Sequence, residues 1–223
     1  MLRRHTLAWI EPAAGQRFLA SLEPETRAAV GEWLANAWPL CARRPDIAEA
    51  LEERTVALGL PLPPSQGKRR LKFVADRADV AHTAKPLPLR AIVARAPDYL
   101  RAYLEALDER AHDRAVTLRV YGSFAWQALT SWTYVTPQSD LDLLVAPADA
   151  RALDAAIALL TGEESLAPVR LDGEIVFPDG DAVSWREWRA SGCDARVLVK
   201  RTRDIALTRH GALRAQLEDR VPV

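Results

Sequence analysis

Two aspartates, Asp140 and Asp142, interrupt an apolar run in the stretch SDLDLLV. If this stretch is a strand, side chains alternate along it, so both carboxylates project from one face and Leu141, Leu143 and Val145 from the other. Two like charges this close repel each other. A shared Mg²⁺ relieves that repulsion, because Mg²⁺ binds carboxylate oxygens together with waters and substrate phosphates. The spacing therefore indicates a metal site, with the solvated face of an edge strand as the alternative.

Gly122 and Ser123 lie upstream, in VYGSFAWQALT, where a strand pattern gives way to a helix pattern. Glycine at such a junction lets the backbone approach a ligand, and the free amides at the start of the helix attract a phosphate. Ser123 adds a hydroxyl. A phosphate cradle after one strand and paired carboxylates on the next are the minimum equipment for phosphoryl or nucleotidyl transfer. The alternative is a glycine that only ends the strand and a serine that only caps the helix.

The elements that must position these residues fall into two regions. With 223 residues and 49% hydrophobic content, the chain can form one large domain or two smaller ones. Residues 1–87 are predicted to form a small α+β domain, with a helix over 24–38 and a hairpin around the Pro-rich turn of LGLPLPPSQGKRRLKFVADRADV. The Pro-rich segment HTAKPLPLRAIVARAP is the predicted connector. Residues 88–223 then form the second domain.

Helix and strand patterns alternate in the second domain, which predicts an α/β (α+β) fold with a mixed sheet flanked by helices. The first helix opens at Pro97, and its predicted apolar face contains Tyr99, Leu100, Tyr103, Leu104 and Leu107. The patterns that follow are the strand VTLRVY, the helix FAWQALT, the strand SDLDLLV, the helix PADARALDAAIALL, the strands VRLDGEIVF and ARVLVK, and a last helix near RDIALTRHGALRAQLE.

The composition excludes several functional classes. Lysine plus arginine equals aspartate plus glutamate at 30 each, which gives no general attraction to nucleic acid or to an anionic membrane. The two cysteines, Cys41 and Cys193, are far apart, and such sparse usage is typical of a reducing compartment, so we expect a cytoplasmic protein. No stretch is apolar for long enough to be a signal peptide or a membrane span. The four histidines lack metal-ligand spacing, which disfavours zinc.

The order strand, Gly-Ser, helix, Asp-x-Asp strand resembles the nucleotidyltransferase superfamily. More narrowly, VYGSFAWQALT, YVTPQSDLDLL, LDGEIVFPDGDAVSWREW and VLVK resemble the malonate decarboxylase holo-acyl-carrier-protein synthases, also called phosphoribosyl-dephospho-CoA transferases. RHTLAWI and GLPLPPSQGKRR extend the resemblance to the first region. The Trp-Gln-x-Leu-Thr extension at residues 126–130 is the most specific part. One departure is Ser131-Trp132, where the family is expected to have glycine and a smaller apolar residue.

The resemblance implies an enzyme that attaches a prosthetic group. The donor would be 2′-(5-triphosphoribosyl)-3′-dephospho-CoA, the acceptor a serine of the acyl-carrier subunit of malonate decarboxylase, and diphosphate would leave. Asp140 and Asp142 would be catalytic and would hold Mg²⁺. Gly122 and Ser123 would grip the leaving phosphates, so that charge building on diphosphate is stabilised.

The superfamily motif also includes a third carboxylate, and VRLDGEIVF offers two candidates. Asp172 and Glu174 share one face if this is a continuous strand, but Asp-Gly is also a turn signal. We select Asp172 as the third metal ligand. Lys200, at the end of ARVLVK, is a candidate to bind a substrate phosphate, although a lysine at a strand end is often simply solvated.

Two further groups of residues are candidates for substrate contacts. The basic stretch from Lys68 to Lys72 is suited to the CoA-like part of the donor or to an acidic carrier protein, against the alternative of a charged surface strand. Four tryptophans are candidates to stack on adenine, against the alternative that they are core residues: Trp126, Trp132, Trp185 and Trp188.

Two other functions remain open at this point. One is a different nucleotidyltransferase that modifies a protein or small molecule with a nucleoside triphosphate. The Trp-Gln-x-Leu-Thr extension argues against it, and so does the resemblance of the first region to the narrower family. The other is a binding module that keeps the fold without the chemistry, and the intact carboxylates argue against that.

Overall fold

A computed structural model describes residues 2–46, 49 and 52–218, and the chain divides into two compact units. Unit 1 comprises Met1–Pro86 together with the short segment Leu129–Thr133, and unit 2 comprises Leu87–Ala128 and Tyr134–Val223. The predicted domains, 1–87 and 88–223, differ from these units chiefly in the assignment of the short segment. No helix in the described part of the chain is both long enough and apolar enough to cross a membrane.

Unit 1 is built on an antiparallel sheet with the strand order β4-β3-β2-β1-β5. Its described elements are β1 (Leu7–Ile10), α1 (Pro12–Ala20), α2 (Pro24–Ala35), β2 (Leu40–Ala42), β3 (Thr55–Pro61), β4 (Arg70–Asp76) and β5 (Val80–Ala84), with 3-10 turns at Pro64–Gln66 and Arg77–Asp79. The predicted helix is confirmed with Pro24 in its first turn, but it ends at Ala35. The predicted hairpin is also confirmed, as β3 and β4.

An aromatic cluster in unit 1 holds the segment Leu129–Thr133. The ring of Trp132 lies 5.7 Å from that of Trp33 and 5.0 Å from that of Trp38, both in edge-on geometry. Its indole nitrogen donates a hydrogen bond to Glu32 at 2.9 Å. Edge-on aromatic contacts and a satisfied indole N–H are both stabilising. The tryptophan at the departure Ser131-Trp132 is therefore a packing residue of unit 1.

Unit 2 is built on a mixed sheet with the strand order β12-β11-β10-β9-β8-β7-β6. The pair β8–β9 is parallel and the other pairs are antiparallel. Its described elements are β6 (Leu87–Pro88), a 3-10 turn (Leu89–Arg95), α3 (Asp98–Asp113), β7 (Leu118–Tyr121), α4 (Gly122–Leu129), β8 (Leu141–Val145), α5 (Ala150–Glu163), β9 (Leu171–Val176), β10 (Ala182–Ser184), α6 (Trp185–Ala190), β11 (Arg196–Lys200), β12 (Ile205–Arg209) and α7 (His210–Glu218). The predicted mixed sheet flanked by helices is confirmed.

The two faces of the unit 2 sheet have different roles. One face packs against the helices, and Leu141, Leu143, Ile175 and Val199 are buried there in the core of the unit. Because side chains alternate along each strand, the residues between these positions face the other side of the sheet. That second face, called here the carboxylate face, bears Asp142 in β8 and therefore positions the candidate site.

The predicted apolar face of α3 is correct except for Tyr99. Leu100, Leu104 and Leu107 are fully buried, whereas Tyr99 is 64% exposed. Successive residues of an α-helix are rotated by about 100°. Tyr99 therefore lies too far around the helix from the buried leucines to join them, and it faces solvent.

The predicted last helix is wrong over its first half. Residues Ile205–Arg209 form strand β12, which pairs with β11 over its whole length, and helix α7 begins only at His210. Pairing with β11 satisfies the backbone groups of this short segment, and that non-local contact overrides its local helix pattern. The predicted connector is likewise more regular than expected, because it contains the end of β5 and the whole of β6.

Candidate active site

The registers of three neighbouring strands align the carboxylates. Asp142 in β8 is paired with Tyr121 of β7 on one side and with Asp172 of β9 on the other. Directly paired residues of adjacent strands project from the same face, about 5 Å apart. Asp140 immediately precedes β8, and strand alternation continued by one residue would place its side chain on the carboxylate face. The structure thus places two of the predicted metal ligands, Asp142 and Asp172, on one face of the sheet, and the third, Asp140, next to the start of β8.

Asp140 and Asp172 are engaged in hydrogen bonds within unit 2. Asp140 accepts a bond from the guanidinium of Arg170 at 2.8 Å, and Asp172 accepts one from the backbone N–H of Gly173 at 2.8 Å. In the part of the chain that the structure describes, no three His, Cys, Asp or Glu side chains converge as a metal site. The metal-ligand set therefore stays a prediction, and it requires Asp140 to exchange Arg170 for a cation.

That exchange is energetically undemanding. The side chain of Arg170 is 59% exposed and that of Asp140 is 31% exposed. Exposed ion pairs contribute at most about 1 kcal/mol, because water screens the charges and the side chains must be ordered. Arg170 therefore balances the charge of Asp140 without locking it, and the sequence patterns did not single it out.

Gly122 lies directly against Asp142. It is the first residue of α4 and has a positive φ of 69°, and a β-carbon built on it would be 1.9 Å from Oδ2 of Asp142. No other residue type fits there without displacing the carboxylate. The amides of the first turn of α4 have no carbonyl partner within the helix and carry a partial positive charge. Ser123, the second residue of α4, is half-buried beside them.

Gly173 explains why the Asp-Gly sequence is not a turn. It has a φ of 146°, and a β-carbon there would be 2.0 Å from the carbonyl oxygen of Leu143 in the neighbouring strand. The glycine thus allows β9 to run close beside β8, and residues Leu171–Val176 form one continuous strand. Asp172 and Glu174 consequently share the carboxylate face, as the strand interpretation predicted.

Asp172 and Glu174 differ in burial and in the groups that contact their carboxylates. Glu174 is 3% exposed, and its Oε1 accepts a bond from the ammonium of Lys200 at 2.7 Å. Asp172 is half-buried, and its carboxylate accepts a bond from the backbone amide of Gly173 but forms no ion pair with any residue in the described part of the chain. A buried, neutralised carboxylate is a poorer metal ligand than an accessible one, because its charge is already compensated. This supports the choice of Asp172, which remains a prediction.

Lys200 is the last residue of β11, and its register places it on the carboxylate face. Its ammonium pairs with Glu174, and its side chain is 37% exposed. An ammonium carries three N–H donors, so it can hold a phosphate oxygen while it keeps Glu174. The predicted phosphate contact of Lys200 is compatible with this position.

Gln127 is a structural residue of the site that the sequence patterns did not identify. Its side-chain oxygen accepts bonds from the backbone N–H groups of Tyr134 and Val135 at 3.1 and 2.9 Å, and its amide donates to the carbonyl of Arg95 at 2.6 Å. These bonds fix the chain between α4 and β8. The only signal in the sequence was the position of Gln127 within the Trp-Gln-x-Leu-Thr extension.

The tryptophans and the basic stretch, the other candidates for substrate contacts, lie in different environments. Trp126, Trp185 and Trp188 are 7%, 0% and 4% exposed, so the alternative that they are core residues is confirmed. In the basic stretch, Arg69 and Arg70 are exposed at the start of β4, an edge strand. Their role as an anion-binding stretch stays a prediction.

Two family models match the chain and together span most of it. Residues 3–86 match the N-terminal domain of phosphoribosyl-dephospho-CoA transferase MdcG, and residues 88–211 match the C-terminal domain of the same protein. No solved structure matches the chain at a significant level.

Curated relatives are similar over nearly the whole length. A phosphoribosyl-dephospho-CoA transferase of Xanthomonas euvesicatoria pv. vesicatoria is 42% identical over 217 residues, which are 96% of this chain and 97% of the relative. One of Bradyrhizobium diazoefficiens is 39% identical over 209 residues, which are 93% and 90% of the two chains. Both domains and the full-length relatives agree, so the chain belongs to the phosphoribosyl-dephospho-CoA transferase family and is a transferase.

Proposed function

We propose that this protein transfers phosphoribosyl-dephospho-CoA from 2′-(5-triphosphoribosyl)-3′-dephospho-CoA to a serine of the acyl-carrier subunit of malonate decarboxylase. Diphosphate is the leaving group. The family match over both domains supports the transferred group. The observation that carries the chemistry is the direct pairing of Asp142 with Asp172 on one face of the sheet, with Gly122 against Asp142 and with Asp140 immediately before β8.

The residues of this face fit Mg²⁺. Asp142 and Asp172 share the face, Asp140 immediately precedes β8, and the lack of a β-carbon at Gly122 lets the carboxylate of Asp142 lie against the backbone there. Asp140, Asp142 and Asp172 would hold the ion, which when bound neutralises charge on the attacking and leaving oxygens. Carboxylate oxygens select a hard cation of this kind.

The protein groups around the donor have separate tasks in the transfer. The serine hydroxyl of the acceptor releases its proton to solvent, and its oxygen forms a bond to the α-phosphorus as the bond from that phosphorus to the diphosphate oxygen breaks. The amide of Gly122 and the hydroxyl of Ser123 bind the leaving phosphates, so that the developing charge is stabilised. Lys200 adds a positive charge beside Glu174 on the same face.

Chelation should abolish the reaction. With EDTA in excess, transfer to the apo carrier subunit is expected to fall below detection, because the carboxylates alone repel the triphosphate. Addition of Mg²⁺ in excess over the chelator should restore the full rate, measured as diphosphate released per minute. Full activity in the presence of chelator contradicts a metal-dependent site.

Donor choice separates this function from that of a general nucleotidyltransferase. ATP and the triphosphoribosyl donor share the triphosphate, so discrimination must come from contacts to the dephospho-CoA part, and the loss of such remote contacts lowers rate as well as affinity. We expect kcat/KM for the triphosphoribosyl donor to exceed that for ATP by about 100-fold or more. The measurement uses the apo carrier subunit as acceptor with each donor in turn. If ATP serves equally well, the protein is a nucleotidyltransferase of broader specificity.

We also place this reaction in the cytoplasm, with neither nucleic acid nor membrane as a partner. The balanced charge and the two free cysteines, Cys41 and Cys193, support this assignment.

A further inference from the structure

The hairpin of β11 and β12 presents an apolar patch with basic ends. Leu198 is paired directly with Leu207, Lys200 with Ile205, and Arg196 with Arg209, so all six side chains project from one face of the hairpin. We call Arg196, Leu198, Ile205, Leu207 and Arg209 the hairpin patch. Strand β12 is the edge of the unit 2 sheet, so the patch lies at the border of the sheet.

The apolar side chains of the patch are unusually exposed. Leu198, Ile205 and Leu207 are 40%, 48% and 59% exposed. They are three of the six large hydrophobic residues that are exposed in the described part of the chain, and they adjoin one another across the two strands. Isolated exposed leucines are ordinary, whereas a contiguous group of them on an edge hairpin indicates a surface that another molecule covers.

The two arginines of the patch repel each other, which destabilises the hairpin unless another molecule neutralises them. Arg196 and Arg209 are exposed and directly opposite each other, and like charges in directly paired positions destabilise a hairpin. No ion pair to either guanidinium is found among residues 2–46, 49 and 52–218. The nearby carboxylate of Glu187 instead accepts a bond from the backbone N–H of Leu198 at 2.7 Å. Two uncompensated arginines beside exposed leucines complement an acidic surface that carries apolar side chains.

The patch belongs to the same face of the sheet as the carboxylates. Lys200 of β11 is paired with Ala182 of β10, and Ser184 of β10 is paired with Glu174 of β9. Glu174 is two positions from Asp172, so the registers carry one continuous face from the hairpin to the carboxylates. Strands in a sheet are about 4.8 Å apart, which puts β11 about 10 Å from β9. A macromolecule seated on the patch can therefore reach the site with one loop.

We propose that the hairpin patch is the docking surface for the protein acceptor of the transfer, and that the acceptor contacts it with an acidic surface bearing apolar side chains. This inference rests on the proposed function, since it requires the acceptor to be a protein. A second copy of this chain is a poorer occupant. A two-fold contact through the patch would bring the arginines of both copies together with no acid of the patch to neutralise them.

The test compares charge and apolar variants of the patch with matched controls. The patch variants are Leu207→Glu and the double variant Arg196→Glu with Arg209→Glu. The controls are Leu166→Glu, at an equally exposed leucine after α5, and Arg151→Glu, at an exposed arginine of α5. Each variant is assayed for KM of the apo carrier subunit at saturating donor, and for the donor dissociation constant by calorimetry. Circular dichroism confirms that each variant is folded.

The patch variants are expected to raise KM for the carrier by about tenfold or more, with the donor dissociation constant unchanged within about twofold. Both controls should behave as the wild type. Added salt should raise the wild-type KM more than that of the arginine double variant, because the double variant has lost the screened attraction.

Each contrary result identifies which idea fails. Unchanged KM in both patch variants, with a wild type that modifies the carrier, overturns the docking surface and leaves the proposed function standing. A wild type that modifies no carrier at all overturns both. If the wild type is a dimer in ultracentrifugation and the Leu207→Glu variant is a monomer, the patch is a contact between two copies of the chain. That result also overturns the proposal.

Discussion

Replacement of Asp142 by Asn should lower kcat/KM for the transfer by about 1,000-fold or more, without loss of the fold. Asp142 lies between Tyr121 and Asp172 in the sheet and directly beside Gly122, so it is the central carboxylate of the site. The substitution keeps the shape of the side chain but removes the charge that would hold the metal ion. Asp140→Asn should have a similar effect, and Asp172→Asn tests the third ligand in the same assay.

Stability measurements separate a chemical effect from a structural one. Removal of the negative charge of Asp142, which is paired directly with Asp172, relieves repulsion, so the melting temperature of Asp142→Asn should equal or exceed that of the wild type. Asp113→Asn, at an exposed aspartate that ends α3, is the matched control and should retain full activity. Turnover of Asp142→Asn near the wild-type rate would remove the carboxylate face from the mechanism.

Gly122→Ala is expected to reduce kcat/KM by about 100-fold or more and to destabilise the protein by about 1–3 kcal/mol. The new β-carbon would lie 1.9 Å from Oδ2 of Asp142, and the backbone has a positive φ of 69° that alanine adopts poorly. Either the carboxylate or the start of α4 must move, and each movement displaces a group that the transfer needs. The measurements are steady-state kinetics and chemical denaturation.

Gly162→Ala is the matched control for this substitution. Gly162 is in α5, and a β-carbon there meets nothing within 4 Å, so alanine should stabilise the helix by up to about 1 kcal/mol and leave activity unchanged. If Gly122→Ala is as active as Gly162→Ala, the close approach of Gly122 to Asp142 has no part in the reaction.

Local patterns in the sequence were sufficient to predict the carboxylate face. The alternation in SDLDLLV depends only on the two-residue period of a strand, and Leu141 and Leu143 are indeed buried on the opposite face from Asp142. The break at Gly122 is similarly local, because a strand pattern and a helix pattern meet there. These predictions needed no knowledge of which strands are neighbours.

Features that depend on pairing between distant segments could not be predicted in this way. The Asp172-Gly173 sequence is compatible with a turn or a strand, and the close approach of Leu143 decides for the strand. Strand β12 was predicted as helix, because its partner β11 is defined only in the fold. The pair formed by Glu174 and Lys200 joins residues 26 positions apart, so no local pattern indicates it.

Intact-protein mass spectrometry of the apo acyl-carrier subunit of malonate decarboxylase tests the central claim most directly. The subunit is incubated with the enzyme, Mg²⁺ and 2′-(5-triphosphoribosyl)-3′-dephospho-CoA, and with Asp142→Asn enzyme in parallel. The predicted result is a single mass increase equal to one phosphoribosyl-dephospho-CoA group, located on one serine, with an equal amount of diphosphate released and no increase with Asp142→Asn. A carrier subunit whose mass is unchanged after incubation with the wild-type enzyme would contradict the proposed function.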